Sequence, residues 1–296
     1  MSNPFFPRPA EPLVEKNLFL SQQVQQESLK PFSEARDLLP VPILPDHSDW
    51  IELYWRTWEM TWSQIRRPNR ASGFVSNYVD ATYNQDIFMW DSAFTVQFGA
   101  YARRAFPFIN LLNNFYAKQH DDGAICREIR PADGSERFST FDPDGTGPNV
   151  LAWAEWRHYR ISGDESRLAD VFFPLLAYHR WLRANRSWPK GLYWATGYSS
   201  GMFNMPRIPD SENHHRHWSW IDASMQAAIS CSVLERLANV LDESDFVIEL
   251  AEEHALLKSQ INRLMWNEEN HFYYDIDAQG NSGQVKSIGA YWGLLD

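Results

Sequence analysis

Cysteine is scarce in this chain of 296 residues, which contains only Cys126 and Cys231. The two lie far apart in unrelated contexts, which predicts free thiols in a reducing compartment rather than a disulfide framework. No run of 18 or more apolar residues occurs, so we expect no membrane span and no membrane partner. The N-terminus has no basic region followed by an apolar stretch. No secretory signal is therefore predicted, and we expect a cytoplasmic protein.

Positive charge is also scarce, because 27 Lys and Arg face 38 Asp and Glu, for a formal net charge of −11. Since Lys and Arg supply most of the affinity for phosphate backbones, this balance excludes nucleic acid as a partner. The hydrophobic fraction of 44% is too high for a disordered chain. The chain is therefore expected to be globular.

Aromatic residues, by contrast, are abundant at 15% of the chain, including 14 Trp. Indole rings fill large helical cores without any ligand. They also stack on the apolar faces of sugar rings, whose rims need hydrogen bonds. Composition leaves both interpretations open.

Apolar residues recur at spacings of three and four from residue 48 onward, which predicts helices. We predict seven, over 49–67, 91–104, 107–118, 148–162, 166–185, 218–241 and 244–265. In the second half of the chain, the only good strand signal covers His271–Ile276. The predicted fold class is all-α. Residues 1–47 are rich in proline and form a predicted arm, and residues 48–296 form the main domain.

Long and short links alternate between the predicted helices, the long ones covering 67–90, 119–147 and 186–217. Helix hairpins arranged in a ring would place all the long links at one end, where a site can be built. Residues 286–295 begin another apolar, helix-like segment that stops at Asp296. We therefore expect the domain to be incomplete.

Two segments carry the chemistry, and the first places Trp90 and Asp91 side by side where a long loop enters a helix. The indole can stack on a sugar while the carboxylate accepts from hydroxyls. The alternative is that Asp91 caps its helix and Trp90 is core. The second segment is the loop 191–207, with three glycines, four aromatic residues and one arginine. His214, His215 and His217 are too closely spaced for three ligands of one zinc ion, so no metal is predicted.

Six motifs, in the order FMWDSAF, QHDDGAICREI, LAWAEWRHYRISGD, SSGMFNMPR, WIDASMQAA and MWNEENHFYYDID, resemble glycoside hydrolase family 63 and its mannosylglycerate-hydrolase-like relatives. They are more distantly similar to the family 37 trehalases. The resemblance implies an (α/α)6 toroid of twelve helices, of which this chain would hold about seven. It also implies inverting hydrolysis of the α-glycosidic bond of a small glucoside or mannoside, by a carboxylic acid and a carboxylate about 6.5–9.5 Å apart. No cofactor is required, the partner is a small carbohydrate, and the oligomeric state is not predicted.

The candidate substrate-binding residues are Phe88, Trp90, Asp91, Glu128, Tyr198, Gly201, Asn204 and Arg207. By resemblance, Trp90 and Asp91 match the family's Trp-Asp pair at the sugar subsite, and Gly201, Asn204 and Arg207 preserve the shape of its acid-bearing loop. Arg207 either pairs with a substrate carboxylate or anchors its loop on Asp222. Glu128 either lines the site with Arg127 or belongs to a salt-bridged loop.

Both catalytic carboxylates of the family are in question. Phe203 stands where the family has its general-acid aspartate, and Phe cannot transfer a proton. The family's general base is a glutamate of later helices, which would lie beyond Asp296. Three explanations of the missing carboxylates remain open. The chain is a fragment with a substitution at position 203, or it is a catalytically silent sugar-binding or structural member of the family, or another acid takes the place of the aspartate. The nearby loop acids that could serve as the relocated acid are Asp122, Glu128, Asp210 and Glu212.

Overall fold

The computed structural model describes residues 9–24, 27–140, 142–202, 207 and 218–295, and helices dominate them. The α-helices are α1 (Phe32–Ala35), α2 (Ser48–Ser63), α3 (Met89–Gly99), α4 (Asn113–Tyr116), α5 (Leu151–Ser162), α6 (Glu165–Arg186), α7 (Ile221–Val240) and α8 (Ser244–Leu264). The predicted all-α class is confirmed. Among the described residues, no helix has both the length and the apolar character needed to cross a membrane.

In the part of the chain that the structure describes, three antiparallel two-stranded ribbons lie between the helices, with two residues in each strand. They pair β1 (Ile65–Arg66) with β2 (Tyr78–Val79), β3 (Ile87–Phe88) with β4 (Glu128–Ile129), and β5 (Trp266–Asn267) with β6 (Phe272–Tyr273). The strand predicted over His271–Ile276 is therefore too long. Beyond β6 the chain leaves its partner strand, and Ile276 exchanges backbone hydrogen bonds with Ser219 instead.

The turn predicted between the fourth and fifth helices is confirmed. Gly163 ends α5 in the left-handed region at φ 69°, which glycine adopts without a steric penalty. Asp164 then caps α6, because its side chain accepts a hydrogen bond of 3.1 Å from the Arg167 N–H. Local chemistry thus ends one helix and starts the next within two residues.

Several predicted segments differ from the structure. The helix predicted over 49–67 ends at Ser63, and Ile65–Arg66 form β1. Residues 107–118 form a 3₁₀ helix, Phe108–Leu112, followed by the single turn α4. The Asn110 carbonyl accepts from the N–H three residues later and also from the Ser76 hydroxyl, which favours the tighter winding. The C-terminal segment is likewise a 3₁₀ helix, Ile288–Leu294, and it packs on α7.

The core runs through successive helix contacts, of α3 with α5, of α5 with α6 and α7, and of α7 with α8. A buried ion pair joins α5 to α6, where Arg167 Nη2 lies 2.6 Å from Glu155 Oε1. Leu13 and Phe19 of the N-terminal segment are buried in the same hydrophobic cluster. The division of the chain at residue 47 stays a prediction.

Candidate functional site

The Trp90–Asp91 pair starts α3, directly after strand β3. β3 pairs with β4 so that Phe88 lies opposite Glu128. The Met89 N–H then donates to the Arg127 carbonyl at 2.8 Å, which holds the first turn of α3 against the neighbouring loop. The ribbon therefore sets where the two side chains of the motif lie.

A pocket of about 550 Å³ opens beside this helix start. This volume lies within the range of about 300–1,000 Å³ for small-molecule sites. Its wall consists of Val79, Ala81, Phe88, Trp90, Asp91, Ser92, Phe94, Thr95 and Phe98. Three of the predicted sugar-binding residues, Phe88, Trp90 and Asp91, thus line one cavity. The wall combines aromatic rings with one carboxylate and two hydroxyls, and its described residues include no set of metal ligands.

Trp90 belongs to an aromatic cluster that sequence reasoning missed. Its ring centroid lies 4.8 Å from that of Phe94 and 5.9 Å from that of Trp292. Trp153 contacts both Phe94 and Trp292, at 5.5 and 5.9 Å. Trp90 and Phe94 are neighbours because they lie four residues apart on α3. No local signal links them to Trp153 of α5 or to Trp292 of the C-terminal 3₁₀ helix. Trp90 is half-buried, so it both packs in this cluster and faces the pocket.

Asp91 is the third residue of α3, and the residue at the N-cap position is Phe88. The interpretation of Asp91 as a helix cap is therefore wrong. Desolvation by the surrounding protein raises the pKa of Asp91, and the negative charge of Glu128 raises it further. A carboxylate in the first turn of a helix is favoured by the helix dipole, so this position suits an acceptor for hydroxyl groups.

Glu128 is buried in a charged loop behind the pocket. Asn84 Nδ2 donates to Glu128 Oε1 at 2.8 Å, and Arg127 Nη1 lies 3.3 Å from Glu128 Oε2. Burial raises the pKa of Asp86, and the hydrogen bond and charge of Glu128 raise it further. The geometry supports the salt-bridged interpretation of Glu128, whose charge is one of the causes that raise the pKa of Asp91.

Gly201, in the loop 191–207, packs against Trp90 at the start of α3. It has φ +71°, and a Cβ atom placed there would lie 2.8 Å from Cε3 of Trp90 and 3.1 Å from Cγ of Pro148. Only glycine allows this approach. Tyr198, three residues earlier, is exposed. Phe203 and Asn204 lie outside the described residues, as do Asp210, Glu212 and the three neighbouring histidines.

Arg207 anchors its loop. Its Nη1 lies 2.8 Å from Asp222 Oδ1, and its Nε and Nη2 donate to the two oxygens of Asp275 at 2.8 and 2.5 Å. The side chain is 1% exposed, and its guanidinium carbon lies 4.2 Å from the ring centroid of Trp220. Since two buried carboxylates face this cation, the anchoring interpretation is supported and pairing with a substrate carboxylate is not. Asp275 was missed, because it lies 68 residues away in sequence.

Asp122 is engaged elsewhere. Its Oδ2 accepts from Trp181 Nε1 at 3.0 Å, and its Oδ1 accepts from the Ala124 N–H at 3.1 Å. It is not among the described residues of the pocket wall. The geometry therefore gives no support to Asp122 as a relocated acid.

Solved structures with the same fold include a glycoside hydrolase family 63 mannosylglycerate hydrolase from Thermus thermophilus. The match to its complex with Tris covers 81% of this chain and 72% of the hydrolase chain, at 18% sequence identity and a TM-score of 0.63. The match to its complex with glucose covers 74% of this chain and 67% of the hydrolase chain, at 19% sequence identity and a TM-score of 0.59. These likenesses confirm the all-α toroid.

A curated relative, an uncharacterized protein of Borreliella burgdorferi, is 26% identical over 200 residues, or 67% of this chain. The chain spans 40% of the length of that relative. The profile of the mannosylglycerate hydrolase MGH1-like glycoside hydrolase domain matches residues 83–294. That match covers the Trp90–Asp91 segment, the loop 191–207 and the C-terminal 3₁₀ helix that carries Trp292. The chain therefore belongs to the mannosylglycerate hydrolase MGH1-like family of glycoside hydrolases.

Proposed function

We propose that this chain is a glycoside hydrolase that cleaves the α-glycosidic bond of a small glucoside or mannoside with inversion at the anomeric carbon, with the sugar bound in the pocket beside α3. The observation that carries this proposal is the contact of Gly201 with Trp90. This contact brings the loop of Gly201 to Trp90 in the wall of the pocket, although the two residues lie more than a hundred positions apart in the sequence. A site with aromatic walls and few polar groups suits a ring with apolar faces and a hydroxyl rim.

The residues divide the work by their chemistry. Trp90 offers an aromatic surface for the sugar, and Asp91 accepts hydrogen bonds from its hydroxyls. Gly201 holds the loop of residues 199–202 against Trp90, and position 203 follows two residues later in the chain. In the family mechanism an acid at that position protonates the leaving oxygen.

The pocket favours a neutral sugar. Its described wall contains the carboxylate of Asp91 and no lysine or arginine. An anionic ligand would need a cation to offset its charge, and Arg207 is already paired. The overall charge of −11 opposes anionic ligands as well.

The second candidate function is sugar binding without hydrolysis. Phe203 favours it, because a benzyl side chain carries no proton to donate. The two functions share the pocket and differ only in turnover, so binding and hydrolysis are tested separately.

Binding is tested by isothermal titration with glucose, mannose, their methyl α-glycosides and a glycosylglycerate. Trp90→Ala should abolish binding, and the neutral methyl α-glycosides should bind more tightly than the glycosylglycerate. The matched control is Trp50→Ala, because Trp50 is exposed on α2 outside the pocket and stacks on His47. Lack of binding to every sugar, or equal losses in the two variants, would refute the assignment of this pocket.

Hydrolysis is tested with α-glucosyl and α-mannosyl fluoride, whose leaving group departs without a proton, beside the corresponding methyl α-glycosides. If Phe203 is the single defect and the chain supplies its own general base, the unmodified chain hydrolyses the fluoride, and Phe203→Asp also hydrolyses the glycoside. If sugars bind but neither protein turns over either substrate, the chain lacks the base as well as the acid, and the silent function holds for it.

A further inference from the structure

Three successive helices direct one potential metal ligand each to a single point in the core. These ligands are His179 from α6, Cys231 from α7 and Glu253 from α8, and one donor atom of each lies within 4.8 Å of the other two. His179 is 1% exposed and Cys231 is fully buried. The cluster lies apart from the residues that line the pocket beside α3.

Two of the three donor–donor distances are close to those of a tetrahedral zinc site. His179 Nε2 lies 3.2 Å from Glu253 Oε2 and 3.5 Å from Cys231 Sγ. With ordinary zinc bond lengths, the nitrogen–oxygen and nitrogen–sulfur edges of a tetrahedron are about 3.4 and 3.6 Å. Both Glu253 and Cys231 approach the same ring nitrogen, so the three donors surround one point instead of forming a linear relay. The distance between Cys231 Sγ and the Glu253 carboxylate oxygen, which lies within the 4.8 Å limit of the cluster, would have to become about 3.6 Å when the metal binds.

A second layer of polar groups orients these ligands. Asn149 Nδ2 lies 3.0 Å from His179 Nδ1, and rotation of this amide by 180° presents its oxygen to an Nδ1–H. That tautomer leaves the lone pair of Nε2 for a metal ion. The Tyr193 hydroxyl donates to the other oxygen of Glu253 at 2.9 Å. Partners of this kind accompany most metal-binding histidines and carboxylates.

The charges also balance. A thiolate and a carboxylate together neutralise a divalent cation. Arg183 Nη1 lies 2.8 Å from Glu253 Oε2, and its Nη2 lies 2.8 Å from Glu249 Oε1. Arg183 therefore keeps an anionic partner when Glu253 turns toward a metal. It shares Glu249 with Arg180, whose Nη2 lies 2.6 Å from Glu249 Oε2 and whose Nη1 lies 3.4 Å from Glu11 Oε1. The Glu253 side chain is 9% exposed beneath Arg183, whose side chain is 40% exposed, so the cluster has a route to solvent.

We propose that His179, Cys231 and Glu253 form a zinc-binding site that clamps α6, α7 and α8 together. Zinc binds the neutral imidazole, the carboxylate and the thiolate, and the proton of the Cys231 thiol goes to solvent. A water molecule completes the tetrahedron. The alternative is a metal-free cluster in which the Glu253 carboxylate accepts hydrogen bonds from its neighbours.

The test is a cobalt titration of the unmodified chain after treatment with a chelator and dialysis. We expect one equivalent of Co²⁺ to produce a thiolate-to-cobalt charge-transfer band together with the intense visible bands of tetrahedral cobalt, and Zn²⁺ to displace it. Zn²⁺ should also raise the Tm, whereas Mg²⁺ should not. Absence of the charge-transfer band in the unmodified chain overturns the proposal, whatever the variants do.

Matched variants locate the ligands. Cys231→Ser should remove the charge-transfer band, whereas Cys126→Ser should keep it. Cys126 is the other buried cysteine, and its sulfur donates to the backbone carbonyls of Glu128 and Phe138. Asn149→Leu should weaken zinc binding by about 10–100-fold through loss of the second layer. A band that persists in Cys231→Ser, or cobalt binding without a thiolate band, assigns the metal to other residues and overturns the site.

Discussion

The sharpest test of the packing behind the pocket is removal of the buried cation Arg207. In Arg207→Met the side chain keeps similar bulk, but Asp222 and Asp275 lose the guanidinium that lies 2.8 and 2.5 Å from their oxygens. Both carboxylates are buried. The substitution therefore creates two unpaired buried anions at the start of α7.

Breaking a buried ion pair from one side costs about 3–5 kcal/mol in the free energy of unfolding. This is a large part of the roughly 5–15 kcal/mol that separates folded and unfolded states of a typical domain. For a chain of this size we expect the Tm to fall by about 5–15 °C. Trp220 loses its cation as well, which adds to the cost.

The pH dependence of the loss has a definite sign. Burial raises the pKa of Asp222, and Arg207 is the group that opposes this shift most. Without Arg207 the pKa rises further, so the folded variant takes up protons before the unfolded chain does. The stability deficit should therefore be largest at pH 7 and shrink as the pH falls toward 5.

Urea unfolding at pH 7 and pH 5, followed by circular dichroism, measures these quantities. Arg157→Met is the matched control, because Arg157 is exposed on α5, and it should change stability by less than about 0.5 kcal/mol. Adding Asp222→Asn and Asp275→Asn to Arg207→Met should recover part of the loss by removing the unpaired charges. A loss in Arg207→Met no larger than that of the control, or a deficit that grows at low pH, would refute the ion-pair account.

Three further predictions concern single positions. Gly201→Ala should weaken sugar binding and lower stability more than Gly280→Ala. Both glycines have positive φ, but the added Cβ meets the Trp90 ring at 2.8 Å in Gly201→Ala and the flexible end of Lys190 at 3.7 Å in Gly280→Ala. Equal effects of the two substitutions on sugar affinity and on the Tm would contradict the contact. Desolvation lowers the pKa of His158 from its usual 6.5, so the unfolded chain binds the proton first and stability should drop as pH falls below about 6.5. His158→Phe should flatten that drop in melting curves, and an unchanged pH profile would argue against it. Burial raises the pKa of Cys126 from 9.0 to about 11. Because the thiolate is the reactive form, alkylation of Cys126 at neutral pH should be about 100-fold slower than that of an ordinary thiol. Mass spectrometry of the alkylated chain measures this rate, and rapid labelling of Cys126 in the folded chain would contradict the prediction.

Much of the fold could be predicted from the sequence because its signals are local. The spacing of apolar residues located α5, α6, α7 and α8 to within a few residues. Gly163 and Asp164 marked the turn between two of them, since a left-handed glycine and a side-chain cap act within one helical turn. The resemblance of the motifs indicated the family, and the match over residues 83–294 confirms it. The similarity to the trehalases and the extent of the complete domain stay predictions.

The winding of the shorter helices could not be predicted in this way. The 3₁₀ geometry of Phe108–Leu112 depends on a hydrogen bond from Ser76, more than thirty residues earlier. The C-terminal segment takes a similar form where Gly289 packs against Asp222. Contacts made in the tertiary structure select between two windings that the apolar pattern favours almost equally.

The residue types along the chain identify the side chains that can bind a sugar, and Trp90 lies beside Asp91 because the two are adjacent in sequence. Their other neighbours are set by the tertiary packing. It brought Trp292 to Trp90 and placed Asp275 with Asp222 around Arg207. The physical reason is that side-chain contacts across different helices follow from how the whole core packs, and spacing along the chain carries no record of them.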